Sequence, residues 1–127
     1  MKKILVTGGA GFIGSHLVKR LVEQGDSVVV LDNLLRGNKL EKKILNSVNF
    51  LKGDVRNFET VKSAAKGCEQ IYHFAAVLGV DVVADNPVET METETVGMKN
   101  VSDSAILFGV EKIIYASTSG VYGHSAI

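Results

Sequence analysis

The chain has 127 residues, 46% hydrophobic and 22% charged, a composition typical of one globular domain with a substantial core. Lysine plus arginine and aspartate plus glutamate each number 14, so the net charge is zero and nothing favours a nucleic-acid partner. The single cysteine excludes an intrachain disulfide and a cysteine-rich metal site and fits a reducing cytoplasm. No apolar run approaches the roughly 18 residues of a membrane span, so the sequence predicts a soluble cytoplasmic protein without a membrane partner.

The first predicted elements are a strand, a glycine-rich turn and a helix. The apolar run at 4–6 leads into the turn TGGAGFIG at 7–14, and an amphipathic helix is predicted over 12–24. A glycine pattern of this kind is weak evidence by itself. A strand before it and a helix after it are the context that a dinucleotide-binding turn requires.

The glycines of this turn have distinct predicted roles. Gly8 lets the chain turn sharply off the strand, Gly11 lets the backbone approach a pyrophosphate, and Gly14 lets the helix pack against the sheet. The start of the helix, at Phe12 and Ile13, presents unpaired N–H groups and the positive end of the helix dipole to the phosphates. The turn is therefore a candidate pyrophosphate site.

The rest of the chain alternates strands with helices. Further strands are predicted at 28–31, 48–51, 71–74 and 113–116, and helices at 39–45, 58–66 and 87–108. Asn57 is a predicted cap of the second of these helices, Pro87 suits the first position of the third, and Gly109 ends it. This alternation predicts an α/β fold over residues 1–127, a doubly wound parallel sheet of Rossmann type with about five strands in the order 3-2-1-4-5.

Asp32 ends the second predicted strand, 24 positions after Gly8. In such sheets ligands bind outside the carboxyl ends of the strands, and a carboxylate at about this spacing accepts hydrogen bonds from ribose hydroxyls. Its charge would repel a ribose 2′-phosphate, which favours NAD over NADP, although Arg36 is near enough to accommodate that phosphate. A solvated turn carboxylate is the alternative interpretation of Asp32.

Two further strand ends carry candidate cofactor residues. Asp54 is predicted to accept a hydrogen bond from the adenine amine, with the Val55 backbone nearby, and the alternative is an ordinary turn residue. Phe74, Ala75 and Ala76 close the fourth strand. They would let the backbone lie along the cofactor, but packing of the strand end against a helix explains them nearly as well.

Several other residues have structural interpretations. No two of His16, His73 and His124 have metal-ligand spacing, so a core or surface role is expected for each and no metal site is predicted.

Met91, Met98 and Ala105 recur every seven residues along the long helix. That spacing favours a packing seam, and a partner-helix interface is the alternative.

Five stretches together resemble a known family. They are 7–14, 32–34, 53–56, 73–76 and 116–123, and their order and spacing are similar to those of the extended short-chain dehydrogenase/reductases, the NAD-dependent nucleotide-sugar epimerases, dehydratases and decarboxylases. The resemblance covers essentially the whole chain. It implies the NAD-binding portion of an enzyme similar to UDP-glucose 4-epimerase, in which NAD transiently oxidises a sugar hydroxyl. A decarboxylase fragment and a stand-alone NAD-binding regulatory module are the alternatives.

The resemblance also implies individual roles. Asn33, within the second stretch, joins the cofactor-binding residues, and Thr93 matches a position that approaches the cofactor ribose. Thr118 matches the catalytic serine or threonine, which would hydrogen-bond the reacting oxygen. Leu78 stands where some 4-epimerases carry a lysine that contacts the cofactor, so that contact would be absent.

The chain departs from the family pattern in two respects. Glu94 stands three residues before Gly97, where the family usually has asparagine, and a buried carboxylate there would need a partner or a raised pKa. The Tyr-x-x-x-Lys pair is missing, because the residues four positions after the three tyrosines are Ala76, Ser119 and Ala126.

The C-terminal region that binds the sugar nucleotide in the family is also absent, so the chain alone is expected to be inactive. Apolar surface exposed on the predicted 87–108 helix would favour self-association through that helix.

Overall fold

Five parallel strands form one sheet in the order β3-β2-β1-β4-β5. The computed structural model describes residues 1–76 and 84–116, so Leu78 and Thr118 lie outside the described residues. The strands are β1 (Lys3–Thr7), β2 (Ser27–Asp32), β3 (Asn49–Lys52), β4 (Gln70–His73) and β5 (Lys112–Tyr115). This order confirms the predicted doubly wound sheet. The order reverses at β1, so the carboxyl ends of β1 and its two neighbours, β2 and β4, border the crevice where such sheets bind ligands.

Within residues 1–76 and 84–116, the helices with given bounds are α1 (Phe12–Glu23), α2 (Lys42–Leu45), α3 (Phe58–Ala65) and α4 (Pro87–Phe108). Asn57 accepts the Thr60 amide at 3.2 Å, which confirms it as the cap of α3. Gly109 ends α4 with a left-handed φ of 64°. Within the described ranges, no helix is both long enough and apolar enough to cross a membrane.

The second helix is shorter than the prediction over 39–45, because tertiary hydrogen bonds hold its first residues outside the helix. The Lys39 amide donates to the carbonyl of Ala10 in the glycine turn at 2.9 Å. The Asn38 side chain accepts the Leu40 amide at 3.0 Å, a local turn that competes with helix formation. The helix begins only at Lys42.

Helices cover both faces of the sheet, and a hydrophobic core lies on each face. The apolar strands contribute side chains to both cores. One cluster joins alternate residues of β1 and β2, such as Leu5 and Val29, to α3 and α4. The other joins the intervening residues, such as Val6 and Val30, to α1 and α2. The central strands are buried on both faces because each helical layer covers one set of alternating side chains.

The predicted seam of Met91, Met98 and Ala105 is wrong as a single packed face, because Ala105 is buried whereas Met91 is 66% exposed. The buried face consists mainly of small residues: Thr93, Gly97, Asn100, Val101, Ser104 and Ala105. A β-carbon on Gly97 would lie 2.8 Å from Cγ2 of Val55, so the small residue lets α4 approach closely. A seven-residue spacing drifts by only about 20° per repeat, so the three residues lie near one face. They differ because residues 87–92 at the start of α4 are mostly exposed, and the buried residues of the helix begin at Thr93.

Candidate functional site

The glycine turn joins the end of β1 to α1 and is built around Gly8. Gly8 has a φ of +72°, and a β-carbon there would lie 2.8 Å from the Ala75 nitrogen and from the Phe74 carbonyl carbon. The Gly8 amide donates to Leu31 of β2 at 2.8 Å, and the Gly11 amide closes the turn on the Gly8 carbonyl at 3.1 Å. Gly8 therefore lies between the ends of β2 and β4, where a side chain would not fit.

The structure divides the predicted helix-packing role between two glycines. A β-carbon on Gly14 would overlap the Gly8 carbonyl, so Gly14 packs the helix against the turn itself. Gly9 lies between the helix and the sheet, since a β-carbon there would lie 2.7 Å from Val30 Cγ1 and 3.2 Å from Val18 Cγ2. The predicted packing against the sheet therefore belongs to Gly9 and not to Gly14. The pattern alone does not show which glycine meets which neighbour.

The N-terminus of α1 presents backbone donors beside this turn. The Ser15 amide bonds to the Gly11 carbonyl at 2.9 Å, and the amides of Phe12, Ile13 and Gly14 precede it at the open end of the helix. The first turn of α1 contains no acidic residue, and among the described residues a β-carbon on Gly11 would meet only the Gly8 carbonyl oxygen, at 3.3 Å. The backbone is thus accessible at Gly11, and the end of the helix favours an anion.

Asp32 connects the glycine turn to the loop after β2. Its Oδ2 accepts the Ala10 amide at 3.0 Å, and its Oδ1 accepts the Leu34 amide at 2.7 Å. The half-buried carboxylate is therefore more than a solvated turn residue. An ionised carboxylate has about four acceptor positions, so it can still accept hydrogen bonds from a ligand.

The loop after β2 is held in a strained conformation next to Asp32. Leu34 has a φ of +63°, a left-handed conformation that is unusual for leucine. The Gly37 amide donates to the Leu34 carbonyl at 3.0 Å, and Asn33 accepts the Leu35 amide at 2.9 Å. The Asp32 carboxylate and these turn bonds together maintain the strained backbone, as is common at ligand sites.

Asp54, at the end of β3, is paired with Arg56. The Arg56 guanidinium donates to both carboxylate oxygens, with distances of 2.6 to 3.1 Å, and the Arg56 amide donates at 2.9 Å. These hydrogen bonds from Arg56 lower the pKa of Asp54 below its ordinary value and raise the pKa of Arg56. Arg56 also lies 3.4 Å from Glu92 and 3.8 Å from Glu89, so it links the end of β3 to α4.

Val55 is fixed in place by α4. Its side chain is buried against Gly97, and its carbonyl accepts the Asn100 side-chain amide at 2.9 Å. Because that bond is buried, removing its donor would leave the carbonyl without a partner. The backbone after β3 therefore has a defined position at the carboxyl edge of the sheet.

Thr7 and His73 hold the end of β4 against the glycine turn. The Thr7 hydroxyl lies 3.0 Å from the Phe74 amide and 3.1 Å from the Ala75 amide, both of which donate to it. It also lies 2.6 Å from His73 Nδ1. The predicted group Phe74, Ala75 and Ala76 thus begins at a fixed backbone position next to Gly8.

The residues of α4 that were predicted from the family pattern have local partners. Thr93 is buried, and its hydroxyl donates to the Glu89 carbonyl at 2.9 Å within the helix. Glu94 accepts the hydroxyl of Tyr115 at 2.9 Å. This bond, with smaller effects of burial and of the Glu94 charge, raises the pKa of Tyr115. The half-buried Glu94 therefore has a partner.

Sequence reasoning missed the structural roles of four residues: Gly9, Ala10, Arg56 and Asn100. Arg56 belongs to a motif that was recognised, but its pairing with Asp54 depends on the turn at 54–57. The i, i+2 spacing of an aspartate and an arginine after a strand was the available signal. The sequence contains no signal for the role of Asn100, because the hydrogen-bond partner of a polar residue on a helix depends on tertiary packing.

Three features define a dinucleotide-binding fold of Rossmann type. They are a doubly wound parallel sheet, a glycine turn that leads into a helix, and a carboxylate at the end of the neighbouring strand. The sequence profile of the NAD dependent epimerase/dehydratase family matches residues 4–127. The chain therefore belongs to that family.

Known relatives and structures agree with this assignment. The chain is 36% identical over 123 residues to UDP-N-acetyl-alpha-D-glucosaminuronate decarboxylase of Bacillus cytotoxicus, covering 96% of this chain and 38% of the relative. It is 37% identical to UDP-glucose 4-epimerase of Lacticaseibacillus casei, covering 94% and 36%. The crystal structure of Thermus thermophilus UDP-glucose 4-epimerase in complex with NAD aligns with a TM-score of 0.81 at 39% identity, covering 91% and 37%. The chain thus spans less than two fifths of the length of each of these proteins.

Proposed function

We propose that the chain binds NAD and forms the cofactor-binding portion of an NAD-dependent enzyme that acts on nucleotide sugars. The observation that carries this proposal is the Asp32 carboxylate, which bonds the Ala10 amide of the glycine turn and the Leu34 amide of the next loop. These bonds hold Asp32, the proposed hydrogen-bond acceptor for the ribose, next to the glycine turn that is proposed to bind the pyrophosphate. The family match and the NAD complex of the Thermus thermophilus relative support the same cofactor.

Each cofactor group has proposed partners. The amides of Gly11, Phe12 and Ile13 bind the pyrophosphate, with Gly8 and Gly14 shaping the turn, and Asp32 accepts the ribose hydroxyls beside Asn33. The backbone at Phe74, Ala75 and Ala76 would lie along the cofactor, Thr93 would be near its ribose, and Thr118 would hydrogen-bond the reacting oxygen. When bound, NAD supplies the hydride acceptor for oxidation of a sugar hydroxyl.

Asp54 and Val55 form the proposed adenine end of the site. Arg56 lowers the pKa of Asp54 and holds its carboxylate in place, and a carboxylate can accept a hydrogen bond from the exocyclic amine. The Val55 carbonyl is engaged by Asn100, which fixes the backbone on which the adenine would lie. Both residues are anchored by other side chains before any ligand arrives, which reduces the entropic cost of binding.

NAD is proposed over NADP because Asp32 is an anion at the ribose position. Its negative charge would oppose a 2′-phosphate in the same place. Arg36 lies in the following loop, where an arginine can accommodate that phosphate. The ratio of the NAD and NADP affinities therefore measures whether repulsion of the 2′-phosphate by Asp32 outweighs its attraction to Arg36.

The proposed reactions are those of the nucleotide-sugar relatives. Matched relatives are named UDP-glucose 4-epimerase and UDP-glucuronic acid decarboxylase, so epimerisation or decarboxylation of a UDP-sugar is the proposed activity of a protein that contains this domain with the remaining family regions. The 127-residue chain by itself has no Tyr-x-x-x-Lys pair, and we propose that it binds cofactor without turning over substrate. A regulatory module that only binds NAD is the alternative for this chain.

Calorimetric titration of the purified chain with NAD and NADP tests the proposal. Saturable NAD binding, with weaker NADP binding, is the expected result. In assays with UDP-glucose and UDP-glucuronic acid no turnover is expected from this chain alone, and turnover of either substrate would contradict the proposal that it only binds cofactor. Absence of saturable binding up to millimolar NAD would contradict both the enzyme domain and the regulatory module.

We also propose that α4 mediates self-association through its outer face. Positions 88, 91, 95, 98 and 102 alternate three- and four-residue spacings, the spacing of a helix–helix seam, and carry three apolar residues, one threonine and one serine. Val88 and Met91 are 69% and 66% exposed. Sedimentation should show a dimer that Met91→Glu dissociates and Lys99→Glu, on the charged flank, does not. A monomeric wild-type chain at the same concentration would contradict this proposal.

A further inference from the structure

His73 is a buried imidazole in the sheet, next to the glycine turn. It ends β4, is 1% exposed, and pairs in register with Thr7, the last residue of β1. The ring stacks on Tyr115 with centroids 5.8 Å apart, and its Nδ1 lies 2.6 Å from the Thr7 hydroxyl. An apolar side chain could fill the space of the His73 ring. Packing alone therefore does not explain the 2.6 Å hydrogen bond between His73 and Thr7.

The hydrogen bonds of Thr7 determine which imidazole nitrogen carries the proton. A hydroxyl has one hydrogen and two lone pairs. The Phe74 and Ala75 amides donate to the oxygen at 3.0 and 3.1 Å and occupy both lone pairs. The hydroxyl hydrogen is then directed to Nδ1 of His73, which must be the unprotonated nitrogen. The ring is neutral, with its proton on Nε2.

The electrostatics of the site agree with a neutral ring. Burial lowers the pKa of His73 to about 4, because the charged imidazolium would lose its hydration. A proton on Nδ1 would also place two donors face to face across the 2.6 Å contact with Thr7. His73 is therefore a permanent hydrogen-bond acceptor at neutral pH.

The effect of this acceptor reaches the candidate cofactor site through Thr7. The two amides that Thr7 holds belong to Phe74 and Ala75, whose backbone lies against Gly8. The Phe74 amide also donates to the main-chain carbonyl of Thr7 at 3.0 Å, so it is shared between two oxygens of Thr7. Among the described acceptors, only the Thr7 hydroxyl bonds the Ala75 amide. If the hydroxyl rotated so that its hydrogen pointed toward the Ala75 amide, that bond would be lost. The orientation of the Thr7 hydroxyl thus determines how the end of β4 meets the glycine turn.

We propose that His73 is a positioning residue for NAD binding. By accepting the Thr7 hydroxyl at Nδ1, it orients the oxygen that holds the Phe74 and Ala75 amides against Gly8. This inference rests on the proposed binding of NAD at the glycine turn. It differs from a packing role for His73, since packing requires only a side chain of suitable volume.

Matched variants separate the two roles. His73→Leu removes the acceptor and keeps an apolar side chain, whereas His73→Asn keeps an oxygen near the position of Nδ1. Thr7→Val removes the hydroxyl and Thr7→Ser retains it. The lost hydrogen bond should weaken NAD binding about five- to tenfold in His73→Leu and Thr7→Val, with recovery toward wild-type affinity in His73→Asn and Thr7→Ser.

Nitrogen NMR of the wild-type imidazole supplies a readout that packing does not influence. We expect an unprotonated Nδ1 and a protonated Nε2, without NAD present. A proton on Nδ1 would overturn the inference, as would wild-type NAD affinity in a folded His73→Leu chain. If that variant does not fold, the protonation state of Nδ1 in the wild-type chain decides the inference, because the Thr7 variants test only the hydroxyl and not its histidine partner. Failure of the wild-type chain to bind NAD would instead overturn the proposed function, and with it the ligand of this inference.

Discussion

The Asp32 carboxylate accepts the Ala10 amide at 3.0 Å, and this bond ties the end of β2 to the glycine turn across 22 residues of sequence. A second amide, from Leu34, bonds the other oxygen of the same side chain at 2.7 Å. The residue proposed to bind the ribose thus also shapes the two segments beside the cofactor. Changes at Asp32 should therefore affect both stability and binding.

Asp32→Ala should weaken NAD binding about 10- to 100-fold, because hydrogen bonds to a charged group are worth about 1.5–3 kcal/mol. It should also lower the free energy of unfolding, since two backbone amides lose their acceptor. Calorimetry with NAD and urea unfolding measure the two effects separately.

Asp26→Ala is the matched control for Asp32→Ala. Asp26 also accepts a backbone amide, that of Lys2 at 3.1 Å, but it lies before β2 at the opposite edge of the sheet. It should leave NAD affinity at the wild-type value. An Asp32→Ala chain that binds NAD as well as Asp26→Ala does would refute the ribose role.

Arg56→Gln should remove the guanidinium hydrogen bonds to Asp54 and change how the free energy of unfolding depends on pH in acid. The lowered pKa of Asp54 contributes stability that is present above the ordinary aspartate pKa and is lost as pH falls through the lowered value. The pair is partly exposed, so the variant should lose less than about 1 kcal/mol at pH 7. The difference from wild type should disappear in acid, and carboxyl NMR should show a higher pKa for Asp54.

Lys99→Gln provides the control for Arg56→Gln. It breaks another ion pair of α4, between Lys99 and Asp103 at 2.6 Å, which is far more exposed. Its effect on adenine binding should be nil, whereas Arg56→Gln should weaken NAD affinity by freeing the Asp54 side chain. Equal effects of the two variants on NAD affinity would argue against an adenine role for Asp54.

His73 should make the fold sensitive to mild acid. Its pKa is about 4 in the folded chain, against an ordinary value of 6.5, so the unfolded chain binds a proton first as pH falls. The free energy of unfolding should drop between pH 6.5 and 4, by up to about 3 kcal/mol from this residue. Urea unfolding across this pH range should show a shallower slope for His73→Asn than for the wild-type chain, and an equal slope would contradict the prediction.

Tyr115 should ionise above the ordinary tyrosine range, because Glu94 accepts its hydroxyl and the carboxylate charge disfavours the phenolate. Glu94→Gln should lower the pKa of Tyr115 toward its usual value. Ring NMR of tyrosine-labelled chain follows this titration, and Glu111→Gln controls for removing a carboxylate elsewhere. An unchanged titration in Glu94→Gln would mean that the bond to Glu94 does not form in solution.

The sheet order and most helix ends could be predicted because their signals are local. The apolar runs mark the strands, and Asn57 and Gly109 mark helix ends through bonds and backbone angles that depend on a few neighbouring residues. The start of α2 was not predictable in this way. It depends on a bond between Lys39 and Ala10, which are far apart in sequence.

The candidate site was predictable in its residue types but not in its contacts. Asp32 and Gly8 stand out by spacing, yet the Ala10 partner of Asp32 depends on how the turn folds back onto β2. The pairing of Thr7 with His73 depends on the register of β1 and β4, which hydrophobic runs do not specify. The contacts between strands, turns and helices at the site could therefore not be predicted from the sequence alone.

Backbone amide NMR during NAD titration tests the central claim most directly. NAD should cause saturable shifts at 8–14, 32–34, 54–55 and 74–76, all at the carboxyl edge of the sheet. The amides around Asp26 and Gly67, before β2 and β4 at the opposite edge, should not move. Absence of saturable shifts up to millimolar NAD, or shifts confined to that opposite edge, would contradict the assignment of the glycine turn as the NAD site.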